Sequence, residues 1–152
     1  MPKLTTKELD SIKGQLNAEK GLISKYTYFA QISTDSEVKK MCEDFVSRHK
    51  KHYGKMCSYL DISKSDMNEN FDFKDQQIAG DILTSQKHAT ELYNQFAVEA
   101  KMPELHSDFM EMLNQEHQMQ QEIFKLMEEK GWYPIEMAEA EKIEKTKKMF
   151  EA

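Results

Sequence analysis

The sequence of 152 residues contains few of the residues that build loops, disulfide networks or membrane segments. No apolar run approaches the roughly 20 residues that a membrane-spanning helix needs, so we expect no membrane segment. Five glycines and three prolines are few for a chain rich in turns. The two cysteines, Cys42 and Cys57, fall on one predicted helix about 22 Å apart, which excludes a disulfide between them. Cys42 lies on the apolar side of that helix, and we expect it to be buried.

The chain has no excess of positive charge, with 21 basic and 27 acidic residues. The formal net charge of −6 argues against binding to nucleic acid or to an anionic membrane, because both require a basic surface. The opening residues "MPKLTTKELD" contain no apolar signal region, so we expect a protein that is made and kept inside the cell. No glycine-rich phosphate loop and no nucleophile with a matching histidine and aspartate is present. We therefore predict no catalytic residues.

The residues that are abundant form long amphipathic patterns with the period of an α-helix. Capping sequences at Thr5–Glu8 and Thr34–Glu37 open the first two helices, the second with Thr34 as the cap. We predict one all-α domain over residues 1–152, with a four-helix bundle from about 5 to 131 and a short tail helix over about 135–151.

The connections between the predicted helices indicate how the bundle is arranged. Helices one and two, and helices three and four, are joined by very short turns, so each pair forms an antiparallel hairpin. The connection over residues 61–74 is longer and can run the full length of the bundle, with Phe71 and Phe73 holding it to the surface. One long crossover between two hairpins predicts a ferritin-like four-helix bundle.

The two predicted hairpins also resemble each other in sequence. Residues 25–56 align with residues 92–123, which supports a duplicated hairpin. The aligned pairs are Tyr26 with Tyr93, Ala30 with Ala97, Glu37 with Glu104 and, after a one-residue slip, His49 with His117.

Polar residues interrupt the apolar faces near the middle of all four helices. The inward positions of helix one include Glu19, and those of helix two include His49 and His52. Helix three contributes Gln86, and helix four contributes Glu116. Because each interruption lies near mid-helix, we expect these side chains to meet in one layer of the bundle.

A buried carboxylate needs a hydrogen-bond partner, a metal ion or a raised pKa. We favour a hydrogen-bonded network in which His49 or His52 pairs with Glu19 or Glu116, without a bound cofactor. The alternative is a zinc or iron site formed by these four residues, since both ions accept imidazole and carboxylate ligands. Ferritin-like di-iron sites use a glutamate on each helix and two Glu-x-x-His motifs, whereas two carboxylates are available here.

Several segments are similar to the spore coat protein F (coat-F domain) family of endospore-forming bacteria. They are "LNAEKGLISKY", "DSEVKKM", "HKKHY" and "MPELHSDFMEMLNQEHQMQQEIFKLMEEKGWY", followed by an amphipathic tail. The most specific of them is "NQEHQMQQEIF" followed by "MEEKGWYP". The positions that match the family motif, to which it assigns no chemical role, are Glu116, His117, Gly131, Trp132 and Tyr133.

The resemblance implies a ferritin-like bundle without an intact di-iron site and without catalysis. It also implies synthesis in the cytoplasm of the sporulating cell, incorporation into the spore coat, and association with other coat proteins. We further expect a homo-oligomer, such as a dimer, through an exposed methionine and aromatic face around Trp132, Tyr133 and Phe150. The competing interpretation is a ferritin-like metal-binding protein or oxidase that uses the Glu/His layer.

Overall fold

The computed structural model describes residues 4–151, and these residues form five α-helices and no strand. The all-α prediction is therefore confirmed. The helices are α1 (Thr6–Ile32), α2 (Ser36–Ser58), α3 (Asp75–Glu99), α4 (Pro103–Glu129) and α5 (Ala140–Lys148). Within the described range, none of these helices is both long enough and apolar enough to cross a bilayer.

Local hydrogen bonds explain where the first two helices begin. At α1 the Thr5 amide donates to Glu8 Oε2 at 2.7 Å, and the Glu8 amide donates to Thr5 Oγ1 at 3.2 Å. This is the predicted capping box. At α2 the cap is Asp35 and not Thr34, because one Asp35 carboxylate oxygen accepts from the amides of Glu37 and Val38 at 2.9 Å. The negative charge of Asp35 also interacts favourably with the positive end of the helix dipole.

The α1–α2 hairpin packs around a small apolar cluster. Ile23 from α1 and Tyr53 and Cys57 from α2 are buried, and four partly buried side chains surround them. These are Leu16, Val46, Met67 and Phe71. Both cysteines are free, and the buried one is Cys57, whereas Cys42 is only half-buried. The expectation that Cys42 is buried was wrong: it is about three turns from Tyr53 on the same face of α2, but it lies outside the buried cluster.

The connection between α2 and α3 returns along the first hairpin. Phe71 packs edge-to-face on Tyr53 at 5.2 Å, and Phe73 stacks on Tyr28 at 5.4 Å, near the carboxyl end of α1. Further along, Asp81 accepts from Lys25 Nζ at 2.6 Å. The first part of α3 therefore runs antiparallel to α1 and in the same direction as α2. Phe71 and Phe73 hold this segment on the hairpin, as predicted.

Two compact units divide the described chain, one reaching to Thr84 and the other beginning at Ser85. In the second unit, α3 and α4 form a hairpin across a short turn. Tyr93 and Phe96 of α3 lie 6.4 and 5.7 Å from Phe109 of α4, measured between ring centroids. These contacts fix the antiparallel pairing of the two helices within that unit.

The end of α4 is closed by backbone hydrogen bonds around a glycine. Gly131 has φ +68°, and its amide donates to the Glu128 carbonyl at 2.9 Å. The Trp132 amide donates to the Met127 carbonyl at 2.8 Å. This pair of bonds is a Schellman motif, which needs a left-handed residue that glycine adopts without strain.

The tail helix is shorter than predicted. It covers Ala140–Lys148, whereas the sequence pattern predicted a helix over about 135–151. Its N-cap residue, Glu139, makes no side-chain capping bond, and no Ser, Thr, Asp or Asn precedes the helix to mark where it begins. Because the prediction rested on periodicity alone, the predicted helix was too long at both ends.

We expect Phe71→Ala to lower the free energy of unfolding by about 2 kcal/mol. Complete burial would give roughly 3–5 kcal/mol, but Phe71 is only partly buried. Phe150→Ala is the matched control, because Phe150 is 83 % exposed and its truncation should change stability by less than about 0.5 kcal/mol. Urea denaturation measures both variants. Equal stability of the two would show that the connection is not held on the hairpin.

Tyr53 provides a prediction for alkaline pH. Its pKa is raised above the ordinary value, first because the ring is buried and second because the Cys57 thiol lies beside it. The unfolded chain therefore loses this phenolic proton at a lower pH than the folded chain. Its contribution to stability is complete below about pH 10 and is lost as pH rises through the folded pKa.

The melting temperature of the wild type should consequently fall more steeply above pH 10 than that of Tyr53→Phe. The control is Tyr59→Phe, because Tyr59 is 45 % exposed. It should follow the wild-type curve in a thermal scan repeated at several pH values. If Tyr53→Phe followed that curve as well, the phenol would not be coupled to folding.

Candidate functional site

A buried carboxylate lies where α1 and α2 pack together. Glu19 is 2 % exposed and occupies the inward face of α1 between Ile12 and Ile23, which are also buried. Separations of seven and four residues along α1 place all three on that face. The sequence correctly predicted that Glu19 faces the interior of the protein.

Two histidines of α2 converge on this carboxylate. His49 Nδ1 lies 2.7 Å from Glu19 Oε2, and His52 Nδ1 lies 3.4 Å from Glu19 Oε1. The two imidazole rings are nearly perpendicular, with centroids 5.5 Å apart. The separation of one helical turn in the sequence therefore brings both rings to the same carboxylate, as predicted.

Further contacts hold Glu19 and His49 in place. Gln15, one turn before Glu19, donates from Nε2 to Glu19 Oε1 at 2.7 Å. The Tyr26 ring lies 5.6 Å from the His49 ring. The sequence analysis did not identify Gln15, although an amide four residues from a glutamate on the same helix is a recognisable pairing.

The burial of the three residues decreases from one side of the site to the other. The Glu19 side chain is 2 % exposed, that of His49 is 21 % exposed and that of His52 is 59 % exposed. The Glu19 carboxylate is therefore removed from water, whereas the His52 imidazole remains in contact with water. Their donor atoms all lie within 4.8 Å of one another, which is compatible with a shared metal ion.

Glu116, the fourth predicted residue, lies on α4 in the second unit and is not part of this three-residue cluster. It lines an apolar groove of about 470 Å³ together with Tyr93, Phe96 and Phe109. Its Oε2 atom is buried and has no hydrogen-bond partner among the described residues, and the same is true of Gln86 Oε1. The second unit therefore contains two buried acceptor atoms that have no hydrogen-bond partner among the described residues.

The alignment of the two hairpins explains this difference. Without a slip, the register that pairs Tyr26 with Tyr93 also pairs Glu19 with Gln86 and His49 with Glu116. Matched positions share their burial as well: both residues are buried in the pairs Ile12 with Ala79 and Ala30 with Ala97. The polar positions therefore recur in both hairpins, but only the first hairpin carries histidine at these positions.

The comparisons with known proteins concern the second hairpin. Residues 74–136 match the family model of the Coat F domain. This segment is a Coat F domain. It includes α3, α4 and the turn that follows, with all five motif positions from Glu116 to Tyr133. The resemblance to the spore coat protein F family is thereby confirmed for this segment, whereas the similar segments before residue 74 lie outside the match.

Searches of curated proteins and of solved structures gave no match to the chain. The Coat F match begins at residue 74, so the cluster of Glu19, His49 and His52 lies outside it. The match therefore assigns no role to these three residues.

We expect Glu19→Ala to lower the free energy of unfolding by about 3 kcal/mol, because it removes one partner of a buried hydrogen-bonded pair and leaves a cavity. Glu43→Ala is the control: Glu43 is an exposed residue on α2, and its loss should cost less than about 0.5 kcal/mol. Chemical denaturation of both variants measures the difference. A loss for Glu19→Ala no larger than that of the control would mean that the contact with His49 does not stabilise the hairpin.

Proposed function

We propose that this chain is a structural protein of the bacterial spore coat and that it carries out no catalysis. The observation that carries this proposal is the Coat F domain over residues 74–136. We propose that the chain is synthesised in the sporulating cell and then incorporated into the coat, where it associates with other coat proteins.

We also propose that the four long helices form a ferritin-like bundle. The path of the chain after α2 supports this arrangement. Contacts of Phe71 with Tyr53 and of Phe73 with Tyr28 carry the connection back along the first hairpin, and the Lys25–Asp81 pair starts α3 parallel to α2. A long crossover between two antiparallel hairpins is the ferritin-like connectivity. The matched polar positions in the two hairpins support a common origin for them.

The donor set argues against the alternative function of a ferritin-like oxidase. Di-iron sites of that kind use four glutamates and two histidines from four helices. At the corresponding positions this chain has Glu19 on α1, His49 and His52 on α2, Gln86 on α3 and Glu116 on α4. Two carboxylates do not provide the bridging ligands or the negative charge that two iron ions need. We propose that the di-iron site has been lost.

Exposed apolar side chains near the carboxyl end offer a surface for assembly. Met137, Met149 and Phe150 are 85, 73 and 83 % exposed. Tyr133 is 37 % exposed, whereas Trp132 is half-buried beneath the Lys130 ammonium group, which lies 5.3 Å from its ring. We propose that this region mediates homo-oligomerisation, for instance as a dimer, and contact with other coat proteins.

The coat assignment is tested by following the chain, fused to a small epitope tag, through sporulation of an endospore-forming host. We expect it in the protein fraction that detergent and reductant release from purified, washed spores. A second readout is sedimentation of the purified chain, where we expect a species larger than the monomer.

A tagged enzyme of the mother-cell cytoplasm is the control for contamination and should be absent from the coat extract. Recovery of the tagged chain only in the soluble mother-cell lysate would contradict the assignment to the coat. A strictly monomeric chain at high concentration would contradict the proposed self-association.

A further inference from the structure

We propose that Glu19, His49 and His52 bind a single divalent cation of the zinc class. This proposal goes beyond the structural function in the coat and does not depend on it. The site is formed entirely by the α1–α2 hairpin, and it needs neither redox chemistry nor a second metal ion.

The spacing of the donor atoms suits one small ion. In a tetrahedral zinc site with bonds of about 2.0–2.1 Å, neighbouring donor atoms lie about 3.3 Å apart. His52 Nδ1 and Glu19 Oε1 are already 3.4 Å apart. His49 Nδ1 and Glu19 Oε2 are at hydrogen-bond distance, 2.7 Å, and need to separate by about 0.6 Å to reach that spacing. The two distances run to different Glu19 oxygens, so one of these oxygens serves as the ligand, and the three donor atoms, which lie within 4.8 Å of one another, move closer together around the ion.

The chemistry of the donors selects the class of ion. Two imidazoles and one carboxylate suit zinc and related transition metals, whereas calcium and magnesium prefer sites built from oxygen alone. A cation binds Nδ1 only when this nitrogen carries no proton. A neutral imidazole that donates from Nδ1 to Glu19 therefore takes the tautomer with its proton on Nε2 when the cation binds.

The surroundings favour binding of an ion from solution. The Gln15 amide donates to Glu19 Oε1 at 2.7 Å and orients the carboxylate, as outer-shell hydrogen bonds do in metal sites. His52 is 59 % exposed and gives an ion access to the carboxylate. Three protein ligands leave the fourth position of a tetrahedral ion to water.

Because the His52 side chain is exposed, a bound ion can exchange with ions in solution. An ion held by three ligands at the edge of the hairpin can dissociate during purification, so little metal in the isolated protein is compatible with the proposal. The relevant measurement is therefore binding of added cation and not the metal content after purification.

The experiment titrates Zn²⁺ into the full chain, prepared without a histidine tag, by isothermal calorimetry, and repeats the titration with Co²⁺ while recording its visible spectrum. We expect one equivalent of Zn²⁺ to bind and Co²⁺ to show the strong absorption of four-coordinate geometry. Zn²⁺ should also raise the melting temperature, because it binds the folded chain preferentially.

Three variants make the test specific. His52→Ala changes an exposed side chain, so it should fold normally and bind Zn²⁺ at least about tenfold more weakly, since it lacks one of three ligands. Glu19→Gln, which keeps the shape of the side chain, should weaken binding similarly. His88→Ala removes an exposed histidine of α3 and should bind like the wild type.

Circular dichroism establishes that each variant is folded. Absence of Zn²⁺ binding by the wild type would overturn the proposal. Binding by His52→Ala with wild-type affinity would also overturn it, because the zinc would then be held by other surface groups. Neither result affects the coat assignment, which is measured on spores.

Discussion

The first hairpin is organised around one requirement, that the Glu19 carboxylate be satisfied after α1 and α2 have removed it from water. An unpaired charge at that depth would cost several kcal/mol. Gln15 and His49, one from each helix, meet the requirement with hydrogen bonds to the carboxylate, and the His52 ring lies 3.4 Å from it. The imidazoles reach Glu19 in only one register of α2 against α1. The polar contact therefore selects this register more strictly than the apolar side chains would by themselves.

The second hairpin shows what happens when the same positions carry different residues. Gln86 and Glu116 replace the pair of Glu19 and His49, and each leaves a buried oxygen without a partner among the described residues. No imidazole occupies either of these two positions to donate to the carboxylate. The hairpin that belongs to the Coat F domain therefore differs electrostatically from the first, although the buried alanines at Ala30 and Ala97 occupy equivalent places.

Much of this structure was predictable from the sequence because its signals are local. The capping box at Thr5 and the helix period predicted the helices, and the spacing of His49 and His52 predicted their approach to Glu19. The sequence was less informative about the rotation of α3 about its axis: the apolar pair Ile78 and Ile82, one turn apart, is 39 and 43 % exposed, whereas Ala79 and Leu83 are buried. Small residues pack closely between helices, and a hydrophobicity pattern gives them little weight. The ion pair between Lys25 and Asp81 was not predictable in this way, because it depends on tertiary contacts that no local sequence pattern encodes.

The Lys25–Asp81 pair also has a consequence for the order of folding. Its partners are 56 residues apart in the chain, whereas Glu19 and His49 are 30 apart. Closing a longer loop costs more conformational entropy, so the α1–α2 hairpin can assemble before the connection docks and α3 is brought to it. The early-forming element is then the one that already holds a satisfied carboxylate, and the start of α3 docks on it later.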